Sequence, residues 1–252
     1  MTPMLRQNLT LCVLVLIGIN MRPLLTSIGP LLPDIRAASG MSYTLVALLT
    51  ALPVIAMGVL ALAGGWVDRT VGQNRSIALS LLIIAAGALL RESAPHSGLL
   101  LSSALAGGIG IGIIQAAIPA VIKRLFARRT PLVMGLWSAA LMGGGGLGAA
   151  FTPWLASRST VWHQALAWWA LPALLALLGW LAICRQLPRA PHQTSASPRV
   201  AIIGQRRAWT LGLYFGLINA GYASLIAWLP PYYIQLGDSA QYSGSLLAPS
   251  CI

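Results

Sequence analysis

Arg22 stands in an apolar run, Leu9 to Leu32, of 24 residues with no other charge. Asn20 precedes it by two positions and Thr26 follows by four. A run of this length and composition meets the requirement for a membrane-spanning helix. Its midpoint falls between Asn20 and Met21, so at about 1.5 Å of rise per residue Arg22 lies ~2 Å from the midplane. A guanidinium reaches ~7 Å, too little to snorkel across a ~15 Å half-core. Insertion of such a charge costs about 2.5 to 3.5 kcal/mol on translocon scales, and intramembrane arginines therefore face a protein interior or a wet cavity. The chemistry this supports is non-covalent: a fixed positive charge with a planar fork of donors, suited to an anion.

Gln115, Asn219 and Tyr222 also fall inside apolar runs. With Asn20 and Thr26 they are candidate hydrogen-bonding ligands around Arg22, although for each of these five the simpler role is polar packing between helices. The four acids, Asp34, Asp68, Glu92 and Asp238, fall in loops or at helix ends, so none neutralises Arg22 at depth. Two roles stay open for Arg22: a charge held by backbone carbonyls, amides and water, or a site for an anion that enters the membrane. Intramembrane charge favours the second. Pro23 leaves the Ile19 carbonyl without its helical donor and loosens the turn beside Asn20 and Arg22. An intramembrane hydrolase would need paired acids or a base at depth, but His96, His163 and His192 sit at loops or helix ends. The chain reads as a non-enzyme. Cys12, Cys184 and Cys251 lack C-x-x-C spacing, so no metal site, cofactor or disulfide framework is expected.

The elements that carry these residues are apolar throughout. Hydrophobic residues make up 57% of the 252 and charged residues 8%, with a mean hydropathy of +0.78. A soluble domain carries about a quarter charged residues, so this composition indicates an all-α polytopic membrane protein. After the first span come Tyr43 to Gly65, a short third span at Ile77 to Leu90 whose flanking Arg75 and Arg91 are placed to snorkel, Leu99 to Ile122, Leu132 to Leu155, and Gln164 to Cys184. Pro33 to Arg36 is expected to end the first span. Gly107, Gly108, Gly110 and Gly112 in the fourth, and the Gly143 to Gly146 run with Gly148 in the fifth, permit close helix approach. Trp154, Trp162, Trp168 and Trp169 fit an interfacial belt or local packing.

From Arg185 to Arg207 the chain turns polar and basic with Pro188, Pro191 and Pro198, the composition of a linker. A seventh span, Ala208 to Leu229, follows and is expected to stop at Pro230-Pro231. The formal charge of +12 sorts by topology: twelve Lys and Arg fall on one side of these spans and three on the other. The positive-inside rule places the amino terminus in the cytoplasm, and the basic residues act as topological anchors rather than as a nucleic-acid surface. Faint internal echoes, Thr26 with Pro30 against Gln115 with Pro119, and Ile19-Asn20 against Ile218-Asn219, nominate the first, fourth and seventh helices as equivalent cavity-lining elements.

The segments Asn20 to Ser27, Pro30 to Pro33, Thr130 to Gly146, Gly216 to Asn219 and Tyr222 to Pro230 resemble the major facilitator superfamily of membrane carriers, in a branch that moves a small monovalent anion. The likeness runs over about residues 9 to 248. It implies two six-helix bundles joined by a cytoplasmic linker, alternating access, and residence in the bacterial inner membrane. On that plan residues 1–184 form the amino-terminal bundle, 185–207 the linker, and 208–252 the first helix and a stub of a second bundle. The copy is then expected to be C-terminally truncated, with a missing half or a second copy as its partner and lipid around it. A membrane fragment or subunit that does not itself transport is the alternative. The turn Gly64 to Arg75 is similar to the superfamily's cytoplasmic motif, which implies a gate latch of Asp68, Arg69 and Arg75. Gln73-Asn74 stand where basic residues are usual. Gly135, Gly144 and Gly148 match part of the glycine-rich antiporter motif, but Ala149 to Thr152 replaces its Gly-Pro ending.

Overall fold

The computed structural model describes residues 3–93, 96–158, 161–186, 205–239 and 242–243, so most of the expected linker and the last residues lie outside the description. The described residues form helices and turns without strands. Ten α-helices are described, in order: α1 Pro3–Asn20, α2 Pro23–Thr26, α3 Leu32–Ser39, α4 Tyr43–Val71, α5 Gln73–Leu90, α6 Ser97–Leu125, α7 Thr130–Arg158, α8 Trp162–Ala167, α9 Ala170–Cys184 and α10 Arg206–Gln235. Among the described residues six stretches are long and apolar enough to cross a membrane: Leu5–Ser39, Tyr43–Leu60, Gln73–Leu90, Ser97–Leu125, Ala127–Arg158 and Trp162–Cys184. The expected seventh span corresponds to α10, which lies outside that count; the side chains at 215, 223, 226 and 227 are outside the description.

Several boundaries differ from the sequence expectation, each for a local reason. The first span is one crossing built from three helices and a 3₁₀ turn, Gly29–Leu31. Pro33 does not end it. It falls at the start of α3, where its missing N–H costs no hydrogen bond, and Gly40 ends that helix with a left-handed φ of 65°. The second span stays helical through Gly64-Gly65 to Val71, and Gly72, at φ 88°, makes the turn into α5. The sixth span breaks at Trp168-Trp169, between α8 and α9. α10 runs through Pro230 and Pro231 to Gln235; both prolines are buried, so packing holds the helix where two backbone donors are missing.

The main core gathers Ile17 and Met21 of the first span with Ile77 and Ile84 of α5, Ile114 and Ile118 of α6, Trp137 of α7 and Trp180 of α9. The fourth-span glycines act as the close-approach surface expected of them. A Cβ at Gly108 would sit 2.6 Å from the Pro53 carbonyl oxygen of α4, and one at Gly110 would sit 2.7 Å from the Ser80 carbonyl oxygen of α5. α6 thus touches backbone on both sides and forms the inner post of the bundle.

Candidate functional site

The break that carries Arg22 follows from three missing or diverted hydrogen bonds. Pro23 has no N–H for the Ile19 carbonyl, and Met21 N donates instead to Gly18 O at 3.1 Å, a tighter turn than the α-helix. Leu25 N and Thr26 N both donate to Arg22 O, at 2.9 and 3.0 Å, which starts the single turn of α2 afresh. Arg22 occupies the cap of that turn at φ −103°, ψ −27°.

The fifth span holds this break in place. A Cβ at Gly144 would land on the Ile19 carbonyl, and one at Gly148 would sit 2.6 Å from Pro23 Cα, so α7 presses bare backbone against the broken segment. The Thr26 hydroxyl, fully buried, lies 2.8 Å from Gly145 O and 3.2 Å from Arg22 O and shares its proton between them. Asn20 is 4% exposed, and its Nδ2 donates to Leu16 O at 2.9 Å and to Pro172 O of α9 at 3.0 Å. These two side chains therefore fasten the break to α7 and α9.

Arg22 itself is half-buried, and its Nε has no hydrogen-bond partner. Its guanidinium carbon lies 5.0 Å from the ring centroid of Tyr222, at the middle of α10. That is cation–π distance. Among the described residues no acid pairs with it. Asn219 is half-buried three positions before Tyr222, hence on the same face of α10. Gln115 is half-buried in α6, and no hydrogen bond among the described residues joins it to this group. The structure thus brings Arg22 and Tyr222 together across two helices, puts Asn219 on the Tyr222 face of α10, and engages Asn20 and Thr26 in packing.

Around Arg22 the two sides of α10 differ. Leu229 and Tyr222 pack against Ala149 of α7, and Pro230 and Pro231 are buried. The opposite end is bare: Trp209, Leu211, Leu213 and Tyr214 are each 66–68% exposed. The second half of α10 is therefore packed against the bundle and its first half is not. A mainly apolar cleft of about 470 Å³ lies elsewhere, between Leu32, Pro33, Tyr43 and the end of α10 at Trp228 and Tyr232, with Arg36 stacked 3.7 Å from the Tyr43 ring centroid. It does not include Arg22.

The expected latch residues flank the Gly72 turn. Burial pushes the Asp68 carboxyl up, and the neighbouring Ser76 hydroxyl pulls the other way. Asp68 Oδ1 and Ser76 Oγ are both buried without a completed hydrogen bond. Arg75 is exposed, and the Arg69 side chain lies outside the described residues. Gln73 and Asn74 serve packing instead. Gln73 Nε2 donates to Ala117 O at 3.4 Å, Asn74 Nδ2 donates to Cys184 O at 3.3 Å, and Asn74 O accepts from Trp180 Nε1 at 2.9 Å. They fasten the start of α5 to α6 and α9.

Arg91 departs most from the sequence expectation. It does not snorkel outward; it is 1% exposed and runs inward, with Nη2 donating to Leu24 O at 3.0 Å and Nε to Ser103 Oγ at 3.3 Å. The cost of unpaired buried carbonyls at a helix break draws it in. Its place at the end of an apolar run gave only the snorkelling signal.

A bundle of helices long and apolar enough to cross a membrane, with a cation on a broken first helix facing α10, is the architecture of a polytopic membrane protein. The Major Facilitator Superfamily model matches residues 11–252, and the chain belongs to that family. It is 67% identical over 238 residues to the cyanate transport protein CynX of Escherichia coli K12, covering 94% of this chain and 62% of that relative. It is 32% identical over 234 residues to the 2-nitroimidazole transporter of the same organism, covering 92% of this chain and 59% of the relative. The chain thus spans about three fifths of the length of these relatives. Among solved structures it is similar to a bacterial homologue of the human lysosomal transporter Spinster in an inward-facing, unoccupied conformation (TM-score 0.75, 17% identity, 100% of this chain and 60% of that one). It is also similar to a D-xylose–proton symporter (TM-score 0.70, 17% identity, 98% and 66%).

Proposed function

We propose that this chain carries the anion site of an inner-membrane cyanate carrier working by alternating access, with its amino terminus in the cytoplasm. The observation that carries the reading is Arg22: a half-buried guanidinium with a free Nε, no acidic partner among the described residues, and one aromatic face beside it. The 67% identity to a cyanate transport protein supports the choice of anion. Cyanate is linear, with charge shared between its nitrogen and oxygen ends, so one end fits the guanidinium fork while the other projects along the Tyr222 face. Asn219 and Gln115 are the candidate amides for the outer end. Asn20 and Thr26 act on the anion by shaping the break. Asp68, Arg69 and Arg75 form the cytoplasmic gate, a reading supported by the position of Asp68 and Arg75 on either side of the Gly72 turn.

A single charge pair at about 4 Å and an effective dielectric near 20 is worth ~4 kcal/mol, about a thousandfold in affinity. Arg22→Gln is therefore expected to abolish saturable cyanate binding at millimolar concentrations, while Arg22→Lys weakens it by loss of the planar fork. Isothermal titration of the purified chain with sodium cyanate measures both. Unchanged affinity in Arg22→Gln makes Arg22 a satisfied interior charge and removes the site.

The bare first half of α10 supports a second reading, a membrane subunit that does not transport by itself. Its apolar side chains require lipid, a second half or another copy against them. Saturable cyanate uptake by the 252-residue chain alone in liposomes eliminates this reading.

A further inference from the structure

The geometry points to Arg91 as a positioning residue that sets the anion site from behind, by clamping the one-turn helix on which Arg22 sits. A helix of four residues does not hold itself together in isolation. One face of α2 is fixed by α7, through Thr26 and Pro23. The other face is Leu24. Its side chain packs with Ala88 and Ala170 and fills the notch left by Gly107, and its carbonyl points at Arg91. That carbonyl belongs to the last turn of α2, where no backbone donor follows in register, and a cation is favoured at such an end. Arg91 Nη2 closes it at 3.0 Å, while Nε is fixed by the Ser103 hydroxyl of α6 at 3.3 Å.

Stability alone does not call for an arginine here. The side chain is buried, has no carboxylate partner among the described residues, and leaves Nη1 without any hydrogen bond. Replacing a buried charge with an apolar side chain of similar volume is often neutral or stabilising. What the arginine adds is direction: it ties the carbonyl of Leu24, two residues after Arg22, to both α5 and α6. The anion contacts Arg22; Arg91 fixes where Arg22 points. The inference rests on the reading of Arg22 as the anion site.

The test uses the full 252-residue chain in nanodiscs with two readouts. Hydrogen exchange follows the Leu25, Thr26 and Ser27 amides, which bond to Arg22 O and Pro23 O. Calorimetry with sodium cyanate follows affinity. Arg91→Met is expected to exchange those three amides at least tenfold faster, with α5 and α9 amides unchanged, and to lose at least tenfold in affinity. Arg91→Lys, which keeps a charged donor for Leu24, is expected to restore parental exchange. Unchanged exchange at the three amides, or acceleration spread evenly over the bundle, overturns the assignment. A parental chain that binds no cyanate refutes the anion site, and the exchange readout then decides the clamp by itself. If Arg91→Met does not fold, Arg91→Lys decides: tenfold faster exchange there overturns the clamp.

Discussion

Two adjacent glycines of α7 give a matched pair in which one added carbon has opposite effects. Gly143 faces open space: nothing lies within 4 Å of where its Cβ would be. Gly144 faces Ile19, with Ile19 C at 2.7 Å and Ile19 Cα at 2.8 Å from that position and the carbonyl oxygen closer still. All three are backbone atoms, which cannot swing aside as a side chain does. Relief to an ordinary contact of about 3.5 Å requires α1 and α7 to part by ~0.7 Å or more, and overpacking of this kind costs about 1 to 3 kcal/mol. Each Gly→Ala change also gains up to ~1 kcal/mol of helix propensity. Gly143→Ala is therefore expected to hold or raise stability, and Gly144→Ala to lie below it by about 1 to 3 kcal/mol. For a chain of this size each kcal/mol shifts the melting temperature by about 2 to 4 °C. Thermal survival on size exclusion in detergent reads the gap directly. The shift would fall three residues before Arg22, so Gly144→Ala should also weaken cyanate binding where Gly143→Ala does not. Equal melting temperatures and equal affinities in the two variants would refute the close approach of α7 to the break.

Orientation is open to single-cysteine labelling in intact cells with an impermeant reagent: Ser93→Cys should react and Ser197→Cys should not, and the reverse pattern inverts the topology. Asp68 gives a pH signature. Its carboxyl is pushed up by burial, so the folded state holds the proton more tightly than the unfolded one. Stability is then highest below the ordinary carboxylate value, is lost as pH rises from there through the raised value, and is level above it. Asp68→Asn should flatten that window and exceed the parent at neutral pH; parallel melting curves against pH for the two proteins would contradict it. The Arg22 series and the Arg91 series complete the set, and the two separate by their readouts, since only Arg91 is expected to change exchange at Leu25 to Ser27.

Much of the membrane architecture was legible in the amino-acid order because it depends on one-dimensional quantities. Run length and polarity fix where a chain crosses a bilayer, and the glycine clusters of the fourth and fifth spans announced close helix contact that the fold makes at Gly108, Gly110, Gly144 and Gly148. Pro23 announced the weak turn beside Arg22. Prolines elsewhere misled, since Pro33 opens a helix and Pro230-Pro231 sit inside one: a missing N–H is harmless at a helix start and tolerable where packing is dense, and neither condition is local to the sequence. Partnership was beyond the sequence for the same reason. Whether Asn20 and Thr26 turn to a cavity or to Pro172 and Gly145, and whether Arg91 reaches for water or for the Leu24 carbonyl, depends on which unpaired carbonyl another helix brings within about 3 Å. Residues 119 and 152 positions apart meet there, and only the packed bundle decides which of them do.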